Sequence, residues 1–277
     1  MSTPLLSIVI PSFNQGEYIE ETIKSILDQP HNDVEILILD GGSTDQTVEI
    51  IKKYQEHIAY WQSKKDNGQS DAINQGFKRA KGEFVTWLNS DDVLLPNSIT
   101  HILEFIKKNK SDNFFLGNVV WMNKEGNVIQ SYKVEPENRY WNSRYLLSNG
   151  GPSAFIRKTT LEQIGYLRED FFYMMDTELW YRLIATGNYF KRIPIYVWGL
   201  RLHEKAKMSG HNFNDSPLAN PNHPSWIKKR HESNFINENY PINKNQATIW
   251  RFLKLFSRSA ISRLTDKHLI GKHYSQL

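Results

Sequence analysis

The first 110 residues alternate short runs of aliphatic and β-branched residues with amphipathic segments of helical length. Four such pairs follow one another: "LSIVIP" with "EYIEETIKSILDQ", "VEILILD" with "TVEIIKKYQE", "IAYWQS" with "SDAINQGFKRA", and "EFVTWLN" with a helix predicted from Pro96 onward. Regular alternation of this kind is typical of βαβ units, in which helices cover a buried parallel sheet. We therefore expect an α/β fold that binds its ligand at the carboxyl ends of the strands.

The pattern changes after residue 112. "NFFLGNVVWM" and "NVIQSYK" flank the turn "NKEGN", which predicts an antiparallel hairpin and therefore a mixed sheet. Strands are predicted at "SAFIR" and "IYVWGLRLH", and helices at "KTTLEQIG" and "DTELWYRLIATG". Residues 209–225 are rich in Asn, Pro, Ser and Gly, so we place a boundary there. This divides the chain into a domain at 1–208 and an extension at 209–277.

The composition limits where the chain works and what it binds. The chain has no cysteine, which excludes disulfides and thiolate chemistry and fits a cytoplasmic location. No window approaches the ~18 apolar residues of a membrane span, and the apolar run at Leu5–Ile10 is too short for a signal peptide. Residues 242–277 carry seven Lys or Arg against one Asp, so this segment is +6 and the remainder is −2. That distribution argues against a nucleic-acid partner.

Polar turns follow three of the predicted strands, at Pro11–Asn14, Asp40–Ser43 and Asn89–Asp92. Because the carboxyl ends of parallel strands share one edge of a sheet, these turns should meet in one crevice. Asp91 and Asp92 repel each other unless a cation or a hydrogen-bond donor lies between them. The structural alternative is that they serve only as turn and cap residues before the next helix.

The first two turns narrow the function. "PSFNQGEY" lacks both the G-x-G-x-x-G pattern and a Walker lysine, which argues against a dinucleotide enzyme and a P-loop enzyme. In "LDGGSTDQT", Asp40 ends a strand and can accept hydrogen bonds at the crevice. Ser43 and Gln46 have the spacing of a capping box, so we predict structural roles for Ser43, Thr44 and Asp45.

Five segments together resemble glycosyltransferase family 2: "SIVIPSFNQGEYIEETIKSILDQ", "EILILDGGSTDQT", "DNGQSDAINQGFKRAKGEFVTWLNSDD", "MMDTELWYRL" and "LRLH". The resemblance covers about residues 5–208. It implies the GT-A fold, a mostly parallel, Rossmann-like mixed sheet flanked by helices, which here precedes a helical C-terminal extension. It also implies inverting chemistry, a nucleotide-sugar donor and a divalent metal, Mn or Mg.

The resemblance implies donor-binding roles for particular residues. Pro11 and Phe13 would lie against the base of the nucleotide. Asp40 would accept a hydrogen bond from N3–H of uracil or thymine, and Asp66 would lie beside the nucleoside.

It also implies the metal site, with two departures from the family. Asp91 would contact the ribose or the water shell of the metal, and Asp92 would ligate the metal. Asn89 stands where the family commonly has an acid. Ile73 stands where many relatives have an Arg near the donor, which makes Arg201 the candidate for the phosphate contact.

"MMDTELW" resembles the segment that bears the catalytic base, with Met175 in place of the first acid. Asp176 is then the predicted base, which removes the proton of an acceptor hydroxyl, and Glu178 is an accessory. Asp176 as a helix N-cap is the structural alternative. His203 is predicted to ligate the metal or a phosphate, with a structural role left open. Trp180 could face the acceptor or lie in the core.

These implications predict an enzyme that moves one sugar, with inversion, from a UDP- or dTDP-sugar to an acceptor hydroxyl. The acceptor would be a glycan or a lipid-linked glycan in bacterial surface polysaccharide synthesis. Two alternatives remain. A sugar nucleotidyltransferase would carry a Gly-rich, basic first turn, and a non-catalytic nucleotide-sugar binding protein is suggested by Asn89 and Met175.

Residues 249–261, "IWRFLKLFSRSAI", predict a basic amphipathic helix. Its broad apolar face could pack on the domain. Alternatively, the helix could lie on the anionic inner face of the membrane and bring the enzyme to a lipid-linked acceptor. The sequence leaves both open.

Overall fold

The computed structural model of the chain describes residues 3–30, 32–134, 151–207, 224–240 and 266–277. Its strands are β1 (Leu6–Ser12), β2 (Val34–Asp40), β3 (Tyr60–Ser63), β4 (Phe84–Trp87), β5 (Val93–Leu94), β6 (Phe114–Met122), β7 (Val128–Tyr132), β8 (Ala154–Arg157) and β9 (Lys191–Arg201). Its helices are α1 (Ile19–Leu27), α2 (Thr47–Lys53), α3 (Gln69–Arg79), α4 (Ser98–Lys108), α5 (Lys158–Ile164), α6 (Met175–Ala185) and α7 (Pro224–Asn239).

The strands form one mixed sheet in the order β3-β2-β1-β4-β8-β6-β9-β5. β1 pairs in parallel with β2 and β4, and β2 pairs in parallel with β3. β8 joins β4 to β6 through antiparallel pairing, and β7 forms the antiparallel hairpin with β6. The alternating pattern, the hairpin and the mixed sheet predicted from the sequence are therefore confirmed.

Both faces of the sheet are buried, because side chains alternate between them along each strand. In β1, Ile8 and Ile10 pack toward α1, α2 and α4, whereas Val9 packs toward α3 and α6. Ile73 on α3 is fully buried in the second of these layers. The position where the resemblance implies an Arg near the donor is therefore a core position in this chain.

One helix begins later than the sequence predicted. α4 begins at Ser98 and not at Pro96, because Asn97 has a φ of 60°. This left-handed conformation is one that Asn tolerates better than most residues.

The predicted capping box is wrong. α2 begins at Thr47, and Ser43 turns its hydroxyl to Asp40 instead. Asp45 takes over the capping contact, since its carboxylate accepts from the amide and the hydroxyl of Thr47. The structural roles predicted for Ser43 and Asp45 fit these contacts.

Parts of the predicted extension are built onto the sheet. Asp266 accepts hydrogen bonds from Lys133 at 2.7 Å and from Tyr196 at 3.0 Å, and Leu269 packs with Val120 and Val128. The predicted helix at 249–261 lies outside the described residues, as does most of the predicted boundary at 209–225. No helix within the described ranges is long and apolar enough to cross a bilayer.

Candidate active site

A cleft of about 780 Å³ opens at the carboxyl ends of β1, β2 and β4. One wall comes from the turns after these strands, and the other comes from the loop before α6 and the residues after β9. The three polar turns therefore converge as predicted. Among the predicted site residues, the lining includes Pro11, Phe13, Asp66, Asp91, Asp92, Asp176 and Arg201.

The turn after β1 presents an exposed aromatic ring. Phe13 lines the cleft and is 59% exposed. The turn is tied to the one after β2, because the amide of Asn14 donates to Ser43 and the side-chain oxygen of Asn14 accepts from the amide of Thr44. An exposed ring on such a fixed turn can stack on a flat ligand group.

Asp40 stabilises the turn after β2 through hydrogen bonds. Its carboxylate is 1% exposed and accepts from the amides of Gly42 and Ser43 and from the hydroxyls of Ser43 and Ser63. Gly41 lines the cleft in its place. These contacts do not fit the predicted role of Asp40 as the acceptor for a base, because its oxygens already bind the protein.

Asp66 is the carboxylate that lines the cleft at this end. Oδ1 accepts from the amide of Gly68 at 2.8 Å. A Cβ atom at Gly41 would lie 2.9 Å from Oδ2, so Gly41 leaves the room that this carboxylate occupies. Burial raises the pKa of Asp66, with a smaller contribution from the charges of Asp71 and Asp40.

The adjacent carboxylates after β4 have separate environments. Asp92 is 2% exposed and accepts from the backbone amide of Arg201 and from the side-chain amide of Asn89, both at 2.8 Å. Burial, and then the charge of Asp91, raises the pKa of Asp92 well above its usual range. Asp91 is the more exposed of the two, and its Oδ2 lies 3.1 Å from Nε2 of His203.

Asn89 links the acidic pair to the opposite wall. While its amide nitrogen donates to Asp92, its oxygen accepts from Gln69 at 2.8 Å. Gln69 in turn accepts from the ammonium of Lys207 at 2.9 Å. An ionised acid at position 89 could not donate to Asp92, so the departure from the family pattern fits the neighbours that this chain provides.

Arg201 holds the acidic turn in place. Its side chain is 2% exposed, and the guanidinium donates to the carbonyls of Asp91 and Lys124 and to Glu21 at 2.6 Å. Because the side chain is 2% exposed and three of its five N–H donors already bind protein acceptors, the predicted phosphate contact of Arg201 does not fit this arrangement.

Asp176 lies in the first turn of α6 and lines the cleft. The N-cap of α6 is Met174, so the N-cap alternative for Asp176 is wrong. Its Oδ1 accepts from the amide of Thr177 at 2.6 Å. Burial raises the pKa of Asp176, and the positive charge of Lys207 opposes that rise.

Two other residues of α6 face the interior. Glu178 is 1% exposed and accepts two bonds from Arg182, at 3.1 and 2.7 Å, and one from the hydroxyl of Tyr240. It lies outside the lining of the cleft, so the predicted accessory role of Glu178 does not fit its contacts. Trp180 is fully buried and stacks on Trp87. It is therefore a core residue and does not face the acceptor.

No sequence pattern pointed to Glu232, on α7. This carboxylate is 6% exposed and accepts from the backbone amides of Phe172, Tyr173 and Met174, at 2.7, 2.9 and 2.8 Å. These amides immediately precede the helix that carries Asp176. A helix beyond the predicted domain boundary therefore holds one wall of the cleft.

Comparison with known proteins identifies the family. The family model described as glycosyl transferase family 2 matches residues 7–165, which is more than half of the chain. The chain belongs to glycosyltransferase family 2. The family membership predicted from the sequence resemblance is therefore confirmed.

Two relatives illustrate what this family 2 chain is similar to. It is 31% identical over 196 residues to an uncharacterized glycosyltransferase of Rickettsia typhi, a match that covers 67% of this chain and 60% of that protein. It is 29% identical over 204 residues to the GalNAc(5)-diNAcBac-PP-undecaprenol beta-1,3-glucosyltransferase of Campylobacter jejuni, covering 70% and 64%. The match spans less than two thirds of either relative.

Solved structures share the GT-A fold of this family 2 chain. S. aureus TarS 1-349 in complex with UDP-GlcNAc has a TM-score of 0.58 at 22% identity, covering 74% of this chain and 60% of that one. Mannosyltransferase PcManGT from Pyrobaculum calidifontis, in complex with GDP-Man and Mn2+, has a TM-score of 0.53 at 19% identity, covering 76% and 60%. The predicted fold class is confirmed.

Asp91 lines the cleft, and its Oδ2 lies 3.1 Å from Nε2 of His203, which is buried and outside the cleft lining. Ligand atoms about 2.1 Å from one ion and at right angles to each other are about 3 Å apart, which matches the 3.1 Å between them. The described residues contain no group of three or more His, Asp or Glu side chains that could hold an ion. The separation of the two atoms fits two ligands of one divalent metal.

Proposed function

We propose that this family 2 enzyme transfers one sugar, with inversion, from a UDP- or dTDP-sugar to the hydroxyl of a glycan acceptor. One observation carries the proposal: Asp66, Asp91 and Asp176 come from three separate parts of the chain and line the same cleft. An acceptor for a base, a ligand for a metal diphosphate and a general base are the three groups that such a transfer needs.

Donor recognition falls to Phe13, Pro11 and Asp66. The exposed ring of Phe13 packs on the face of the base, and Asp66 accepts the N3–H of a pyrimidine. This assignment moves the base contact from Asp40 to Asp66, because Asp66 is the one that lines the cleft. The UDP-GlcNAc complex of TarS supports a uridine donor, whereas the GDP-Man complex of PcManGT makes a purine donor the alternative to test.

Asp91 and His203 would hold Mn or Mg. Asp92 would add negative charge next to them without ligating the metal. The predicted role of Asp92 as the direct ligand is less well supported, because both of its oxygens bind protein donors. A bound metal supplies positive charge to a departing diphosphate. Arg201 and Asn89 keep the two carboxylates in position for it.

Asp176 takes the proton of the acceptor hydroxyl. The acceptor oxygen attacks the anomeric carbon opposite the leaving diphosphate, so that a single displacement inverts the configuration. The raised pKa of Asp176 supports this role, since a base works best when its pKa lies near the working pH. The position of Asp176 in the same cleft as Asp91 favours an enzyme over a non-catalytic binding protein.

The acceptor belongs to a surface polysaccharide or a lipid-linked glycan. The name of the Campylobacter jejuni relative, which specifies an undecaprenol-linked acceptor, supports this class. A sugar nucleotidyltransferase is the weaker alternative, because the first turn presents Phe13 and no basic Gly-rich loop.

Titration calorimetry with UDP, dTDP, GDP and ADP, each with Mn²⁺ and with EDTA, tests the donor assignment. We expect UDP or dTDP to bind best and EDTA to weaken the binding. Asp66→Asn should lower the affinity for uridine about 10-fold, the worth of one hydrogen bond to a charged group. Glu49→Gln, which changes an exposed acid on α2 outside the cleft lining, should leave it unchanged. A preference for GDP, or binding unaffected by EDTA, contradicts the assignment.

A further inference from the structure

The cleft has basic residues whose role the proposed function leaves unassigned. Four basic side chains line it within the part of the chain that the structure describes: Lys65, Lys205, Lys207 and Arg201. Arg201 is bound to three protein acceptors. Lys65 and Lys205 are exposed, whereas Lys207 is half-buried. Of these four basic residues, Lys207 is therefore the one that is partly buried in the cleft and whose ammonium still has N–H donors available for a ligand.

Two contacts hold the Lys207 ammonium between the walls. Nζ donates to Oε1 of Gln69, the first residue of α3, at 2.9 Å. It also lies 4.2 Å from the ring centroid of Phe172, in the loop before α6. An ammonium has three N–H donors, and Gln69 uses one of them. The others can serve an anion in the cleft.

Lys207 is connected both to the acidic pair and to the proposed base. On one side, Gln69 bonds to Asn89, which bonds to Asp92 of the acidic pair. On the other side, Lys207 interacts electrostatically with Asp176. In a displacement, the bond that breaks must lie between the group that binds the diphosphate and the base that activates the acceptor. Lys207 interacts toward both of these groups, through Gln69 and with Asp176.

Resting on the function proposed above, we propose that Lys207 is a further catalytic residue, whose ammonium binds the diphosphate of the donor and stabilises it as it leaves. In the step, the acceptor oxygen bonds to the anomeric carbon and its proton passes to Asp176. The bond from that carbon to the diphosphate oxygen breaks, and its electron pair stays on the oxygen beside Lys207.

Position 73 supplies no cation to the cleft. Ile73 is buried in the core, and the cation is supplied from the segment after β9 instead. Burial, with a smaller contribution from the charge of Lys228, lowers the pKa of Lys207 to about 8, against the charges of Asp176 and Glu232. A lysine that is partly removed from water gains more from an anionic ligand than an exposed one does.

The test compares UDP with uridine by titration calorimetry in the presence of Mn²⁺, so that the phosphate contribution is isolated. We expect Lys207→Gln to lower UDP affinity at least about 10-fold, as for the loss of one charge-assisted hydrogen bond, and to leave uridine affinity unchanged. Lys205→Gln is the matched control, because Lys205 lines the same cleft and is exposed. It should change UDP affinity less than about 2-fold, as expected for a solvent-screened charge.

Lys207→Arg, which keeps the charge, should retain most of the affinity. The proposal is overturned if Lys207→Gln binds UDP as the wild type does, if it loses uridine equally, or if Lys205→Gln loses as much. A wrong donor assignment gives a different result from a wrong role for Lys207. If the wild type prefers GDP, the pyrimidine assignment fails, and the same comparison made with GDP and guanosine decides the role of Lys207.

Discussion

Replacing Arg182 by Met should strongly destabilise the protein, because Glu178 depends on it. The guanidinium makes two bonds to Glu178 and donates to the carbonyls of Ile164, Gly165 and Tyr166, at 2.8, 2.7 and 2.8 Å. Methionine keeps much of the apolar stem but removes all five bonds. Glu178, which is 1% exposed, then retains the hydroxyl of Tyr240 as a partner for its charge.

The expected cost follows from these contacts. Breaking a buried ion pair by removing one partner costs about 3–5 kcal/mol of unfolding free energy. We expect a loss at the upper end of this range, because three backbone carbonyls also lose their donor. The double variant Glu178→Met with Arg182→Met removes the buried charge as well. It should therefore be more stable than Arg182→Met alone, although the three carbonyls still lack their donor.

Urea unfolding monitored by circular dichroism measures these differences. Lys108→Met is the matched control, since Lys108 and Glu104 form an exposed pair with the same i,i+4 spacing. It should cost less than about 0.5 kcal/mol. The reasoning is refuted if Arg182→Met lies within about 1 kcal/mol of the wild type, far below the cost of a broken buried pair, or if the double variant is less stable than the single one.

Three further outcomes are expected. Glu232→Gln should destabilise the protein by about 1–3 kcal/mol in urea unfolding, because a neutral amide replaces the charged acceptor of three backbone amides; unchanged stability contradicts the bonding described for Glu232. Gly41→Ala should weaken uridine binding in calorimetry, since its Cβ would meet Oδ2 of Asp66 at 2.9 Å, and an unchanged affinity contradicts the base contact. UDP affinity should fall between pH 7 and pH 9 in the wild type, because the pKa of Lys207 is about 8 and the ammonium that binds the anion loses its proton. Lys207→Gln controls for titration of the ligand, and an equal fall in both proteins contradicts the assignment.

The sequence predicted the fold because its signals are local. Alternating periods of apolar residues give strands and helices, and the right-handed βαβ connection leaves few topologies for them. For the same reason the strand ends could be expected to meet, and Asp91 and Asp176 were found in the cleft.

Side-chain partners could not be predicted in this way, because they come from distant parts of the chain. Asp40 accepts from Ser63 on the neighbouring strand, and Arg201 donates to Glu21, 180 positions away. A strand-end position tells where the Cα of such a residue lies. It does not tell whether the charged group faces the cleft or binds the protein, and that difference separates Asp66 from Asp40.

Turnover by Asp176→Asn tests most directly whether this carboxylate is the base of a sugar transfer. The measurement is release of nucleoside diphosphate from a panel of UDP- and dTDP-sugars, with Mn²⁺ and a lipid-linked glycan acceptor, alongside UDP binding by calorimetry. We predict that the wild type turns over at least one donor and that Asp176→Asn binds UDP equally well. Its turnover should be at least ~100-fold slower, as expected for the loss of a positioned general base. Near-normal turnover by Asp176→Asn, together with loss of turnover in a folded Glu178→Gln, would contradict the account.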